Sequence, residues 1–171
     1  MSGLDEPIHL SEYDPQWKEL FVMESQRISR CVPSGVKIEH IGSTAVPQLL
    51  AKPIIDIMLG TEPHQKCEAR ASLLGLGYED LEEAGVPGRI YLRKRIGGDF
   101  NVALVTRGGP LWVTNLALRD YLRTSPNARQ EYTRIKREAI NIGIGSLLAY
   151  SDYKSAVVSR LIADALERQR P

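Results

Sequence analysis

The chain has 171 residues, of which 43% are hydrophobic and 25% charged, with a formal net charge of +1; that suits one globular domain spanning 1–171 and leaves no room for a second independent core. Near-neutral charge and 6% aromatic content supply neither the electrostatic track nor the stacking platform of a nucleic-acid binder. No apolar run approaches the roughly 18 residues that span a bilayer and no charged-then-apolar leader is present, so a soluble cytoplasmic protein is expected.

In chain order, residues 8–10 suit a short edge strand. Asp14-Pro15 opens a helix, with a capping residue followed by proline in the first turn. Trp17, Leu20, Phe21, Ile28 and Cys31 recur at helical spacing and lay one face on a sheet. Strands follow over 36–41 and 54–59. Thr61 with Pro63 begins a second helix that reaches about Leu74, where Gly75-Leu76-Gly77 stops it. Glu79, Asp80, Glu82 and Glu83 read as a solvated acidic connection. Runs 90–95 and 100–105, separated by Gly97-Gly98, read as a β-hairpin. The last third is helical, around 112–123, 126–140 and 151–167. Cys31 and Cys67 lack metal-motif spacing and read as reduced core thiols. The pattern predicts an α+β domain with a mixed sheet, an N-terminal helical layer and a C-terminal helical cap.

Chemistry concentrates in residues 38–60, IEHIGSTAVPQLLAKPIIDIMLG. A strand ending at His40 and Ile41 breaks at Gly42, Ser43 and Thr44. Glycine permits close backbone approach and the two hydroxyls can bond phosphate oxygens or cap a helical turn, which makes an anion cradle. Lys52-Pro53 then leads into an apolar strand carrying one acid, Asp56. A carboxylate there is costly unless it is paired, hydrogen-bonded or on a metal.

HIGSTAVP followed by AKPIIDI resembles the GrpB family, whose members look like small relatives of the polymerase-beta-type nucleotidyltransferases. YDPQW, FNVAL, LRDYLR, EYTRIK and YSDYK extend the resemblance over residues 8–162. It implies a nucleotidyltransferase-like mixed sheet with ATP or another nucleotide held at Gly42, Ser43 and Thr44, and Mg²⁺ on Asp56. The place of that fold's second metal-binding acid holds Met58, and a thioether is a poor ligand for a hard cation. Asp99, on the hairpin, is either the replacement ligand or a turn residue. His40 is either a catalytic base or a strand-end histidine bonded to the backbone. Lys52, Arg119, Arg123, Lys136 and Lys154 are the candidate phosphate cations, Arg119 and Arg123 sharing a helix face. Arg89, Arg93, Lys94 and Arg95 read as a solvated set. The chain departs from the family at Ala103, where histidine is frequent, and at Gln48, where glycine is usual.

The resemblance implies a small-molecule-directed nucleotidyl or phosphoryl transfer enzyme. The alternatives are a non-catalytic nucleotide- or coenzyme-binding module, since GrpB-like domains occur joined to dephospho-CoA kinase, and a metal-free enzyme acting on an anionic metabolite in the same pocket. The expected partner is an anionic or nucleotide small molecule. Nothing in the sequence sets an oligomeric state.

Overall fold

In the computed structural model, which describes residues 5–169, the strand Ile55–Thr61 is buried along nearly its whole length. A continuous apolar run can sit only inside a sheet covered on both faces. Numbered in chain order, β1 is Lys37–Ile41, β2 Ile55–Thr61, β3 Glu79–Asp80, β4 Ile90–Lys94 and β5 Phe100–Thr106. Across the sheet they run β1-β2-β5-β4-β3. β2 and β5 are parallel and the other neighbours antiparallel. The acidic stretch after Tyr78 is therefore partly ordered, as the edge strand β3 on β4. Residues 8–10 form no strand. Their segment is tied down by single bridges, Pro7 to Ser146 and Ser11 to Ala51.

Helices α1 (Gln16–Ser29) and α2 (Lys66–Gly75) cover one face. Trp17, Ile28, Ala69 and Leu73 pack there against Ile55, Ile57, Leu59, Val102 and Leu104. Asp14 Oδ1 accepts from the Gln16 amide at 2.9 Å, capping the start of α1 ahead of its first free amides. Buried Glu24 then latches α1 to the sheet, taking hydrogen bonds from Tyr78 and Lys94. Cys31 and Cys67 are exposed rather than in the core. Cys67 stands two positions from Ala69, which on a helix is the far side from the buried Ala69 and Leu73.

The second face carries α3 (Pro110–Thr124), α4 (Pro126–Asn141) and α5 (Leu147–Glu167). Their own core joins Leu122, Ala128, Tyr132, Ile135 and Leu161 to Val46 and Leu49. The link from β1 to β2 is thus gripped by the helices rather than looping into solvent. Among the described residues no helix is long and apolar enough to cross a membrane.

Candidate phosphate-binding cleft

Strand alternation decides which side chains meet. The register sets Ile41 opposite Asp56 and Asp56 opposite Asn101, so these three project from the sheet toward α3, α4 and α5. Beyond Ile41 the chain turns at Gly42, whose φ is +70°. A Cβ there would stand 2.5 Å from Asp56 Oδ2. Only glycine lets the turn lie directly against the carboxylate, and a short 3₁₀ turn, Ser43–Ala45, follows.

The result is a cleft of about 100 Å³ lined by Gly42, Ser43, Thr44, Lys52, Asp56 and Lys136, together with Tyr132, Tyr150 and Lys154. That is room for a few water molecules or one phosphate group. Lys136, only 1% exposed, donates to Ser43 Oγ at 2.5 Å and to the Leu50 carbonyl at 2.6 Å. Its Nζ lies 4.2 Å from the Tyr132 ring centre, and that of Lys154 lies 4.8 Å from the Tyr150 ring. Lys154 also donates to the Tyr132 hydroxyl at 3.3 Å.

Burial drives the Lys136 ammonium well below the usual lysine range, with Lys154 and Lys52 pushing the same way and Asp56 opposing. Lys52 is lowered by burial too, against the pull of Asp56 and Glu6. Three lysines thus crowd one carboxylate, and for Lys52 and Lys136 burial carries a desolvation cost that an entering anion would offset. Asp56 is itself held in place: Asn101 Nδ2 donates to Oδ1 at 2.8 Å. Arg95 donates to the Asn101 Oδ1 at 3.0 Å and to Glu6 at 2.9 Å. The guanidinium occupies the carbonyl end of the Asn101 amide, so the NH₂ end must face Asp56.

Of the residues singled out in the sequence, Gly42, Ser43, Thr44, Lys52, Asp56, Lys136 and Lys154 come together here. The other four do not. His40 is one step along β1 from Ile41 and points to the opposite face, where its ring stacks on Phe21 with centroids 4.7 Å apart. Its Nε2 meets Thr44 Oγ1 at 3.0 Å. Burial, then the charges of Arg123 and Arg119, hold it down to about 4. Arg119 is spent on Glu39 at 2.7 Å, on Asp120 at 2.8 Å and on the His40 carbonyl. Arg123 donates to the Ala45 carbonyl at 2.9 Å. Both arginines brace the turn from behind. Asp99 precedes β5, with its side chain 59% exposed and 4.0 Å from Arg95; the residue opposite Asp56 is Asn101.

The set does not fit Mg²⁺. That ion wants near-octahedral oxygen ligands, whereas Met58, in the second acid's place, is fully buried against Ile41, Val105, Leu111 and Trp112. The remaining charged neighbours in the cleft are ammonium groups. Among the described residues no group of three or more His, Cys, Asp and Glu could hold a metal.

Sequence reasoning missed Asn101, Arg95, Glu6 and Tyr132. One signal was there to find: Tyr132 and Lys136 repeat the four-residue spacing of Tyr150 and Lys154, which stacks each ring beside its ammonium on a helix.

Residues 7–164 match the family described as GrpB protein. A UPF0157 protein of Streptomyces coelicolor is 36% identical over 88% of this chain and 80% of its own length. The crystal structure of the conserved protein GrpB from Enterococcus faecalis is similar at a TM-score of 0.83 and 33% identity, covering 94% of this chain and 98% of that one. The Cid1 poly(U) polymerase, solved with Mg 3′-dATP bound, overlays at a TM-score of 0.53 and 15% identity, over 77% of this chain and 43% of that one. At that identity the likeness concerns the fold, a nucleotidyltransferase-like α+β sheet. On the matched family and on the extent of these alignments, the chain belongs to the GrpB family.

Proposed function

We propose that the cleft binds the phosphate group of a nucleotide, ATP among them, or of another phosphorylated small molecule, without a divalent cation. The observation that carries this is the convergence of Lys52, Lys136 and Lys154 with the Ser43 turn on a single carboxylate. Lys136 donates to Ser43 Oγ, which leaves the hydroxyl hydrogen free to point at a ligand oxygen. The ammonium groups neutralise phosphate charge as a metal ion otherwise would. The small volume fits one phosphate, with the remainder of the ligand lying outside the mouth.

Titration calorimetry of ATP and inorganic phosphate, in EDTA and in Mg²⁺, tests this. Equal affinity in both, lost in Lys136→Met and Lys154→Met, is the expected result. Binding that appears only with Mg²⁺ would overturn it.

A second reading, nucleotidyl or phosphoryl transfer, is favoured by the position of Asp56. Its Oδ1 is taken by Asn101, while Oδ2 lies against Gly42 at the cleft wall. There it would accept the proton of an attacking hydroxyl as the lysines stabilise charge on the transferring group. Turnover unchanged in Asp56→Asn would remove that step and leave a binding module.

A further inference from the structure

The Gly42-Ser43-Thr44 turn has a second cleft on its other side, and we propose that it is a separate site for a planar aromatic monoanion of the arenecarboxylate class. The cavity measures about 540 Å³ and is lined by Tyr13, Lys18, Phe21, His40, Thr44 and Arg123 with three small apolar residues. That volume is in the usual range for small-molecule sites, and so is the mix of apolar wall and few polar groups.

Its walls are flat and fixed. Phe21 and His40 lie parallel within 10° of one another, and Tyr13 is held edge-on to buried Trp17 at 5.6 Å. Stacked on each other, Phe21 and His40 present one continuous flat aromatic wall to the cavity, against which a flat ring packs better than a puckered sugar. Its charge is one-sided, because Lys18 and Arg123 line it and no acid does. Asp120, the acid nearest Arg123 at 3.6 Å, is shared with Arg119, and Glu39 is bound to Arg119.

His40 supplies the polar anchor. It is 8% exposed, and among the described residues its ring makes one hydrogen bond, between Nε2 and Thr44 Oγ1. With Nε2 accepting the Thr44 hydroxyl proton, Nδ1–H remains as a donor to a carboxylate. Thr44, 2% exposed, lines both clefts. Thr44 is the one lining residue the two clefts share, and each has its own cations, so this proposal stands whether or not the lysine cleft holds phosphate.

The test is titration of benzoate into protein carrying ¹³C-labelled histidine rings, followed by NMR; with three histidines in the chain the signals are readily assigned. A saturable shift at His40 that leaves His9 and His64 unmoved is expected. Lys18→Glu, an exposed change on α1, weakens it at least five-fold, and the neutral isostere benzamide produces none. No shift at millimolar benzoate overturns the proposal. So does benzamide binding as well as benzoate, or a benzoate response abolished by Lys154→Met and untouched by Lys18→Glu, which would put the ligand in the lysine cleft.

Discussion

Asn101 and Asp56 face each other across the parallel β2–β5 pair, joined by a 2.8 Å bond from the amide to the carboxylate. Behind Asn101 stands Arg95, and behind Arg95 stands Glu6. Replacing Asn101 with leucine removes both amide bonds and leaves a half-buried carboxylate and guanidinium each short of a partner. A loss of about 1 to 3 kcal/mol is expected in urea unfolding, together with weaker phosphate binding as Asp56 swings free.

Gly42→Ala meets two obstacles. The φ of +70° disfavours any side chain, and the new methyl would stand 2.5 Å from Asp56 Oδ2. Either the turn or Asp56 must move. The variant is expected to unfold at lower temperature and to lose phosphate affinity by more than ten-fold in calorimetry.

Gln48 carries a φ of +66°, a left-handed conformation that costs a side-chain-bearing residue roughly 1 kcal/mol. Glycine adopts it freely. Gln48→Gly is therefore expected to raise stability by about 0.5 kcal/mol or more, the strain relief exceeding glycine's extra chain entropy. Paired denaturation curves of the two proteins check it.

His40 makes stability fall in acid. Burial first, then Arg123 and Arg119, lower its native value to about 4 from the ordinary 6.5. Between those values the unfolded chain holds a proton that the native one lacks, so stability declines as pH drops from about 6.5 toward 4. The full effect is roughly 3 kcal/mol. His40→Asn keeps a hydrogen-bonding group but does not titrate, and should flatten that part of the pH profile.

Phosphate binding should also take up protons. Lys136 is depressed by burial and by its lysine neighbours, and an anion in the cleft reverses that penalty. Affinity should fall as pH rises into the lowered lysine range, and the observed binding enthalpy should vary with the ionisation enthalpy of the buffer. A buffer-independent enthalpy would mean that the cleft's lysines are fully charged before the anion arrives.

Much of this was legible in the sequence because it is local. The Gly-Ser-Thr turn, Asp56 inside its strand and the helix starts at Asp14-Pro15 and Pro126 are written in short stretches, and the structure has them at or near those positions. What failed depends on register. Asp99 and Asn101 share a face by alternation, but which of them meets Asp56 is set by where β5 begins, and it begins at Phe100. His40 lies beside the turn in sequence, yet the antiparallel register pairs it with Ile57 and sends it to the α1 side. Arg119 and Arg123 look like phosphate cations until Glu39 and the Ala45 carbonyl, some eighty positions away, claim them. No spacing rule reports such partners.

The lysine bonded to Ser43 lies 93 positions further along the chain, and Lys154 lies later still. The turn, the carboxylate and every strand of the sheet precede both lysines in the chain. The cleft is therefore closed by contacts of large sequence separation, whose loop-closure entropy must be met before they stabilise anything. The cleft has its cations from α4 and α5 only where those helices dock on the sheet, so a bound phosphate would tie the C-terminal helices to the strand-turn unit.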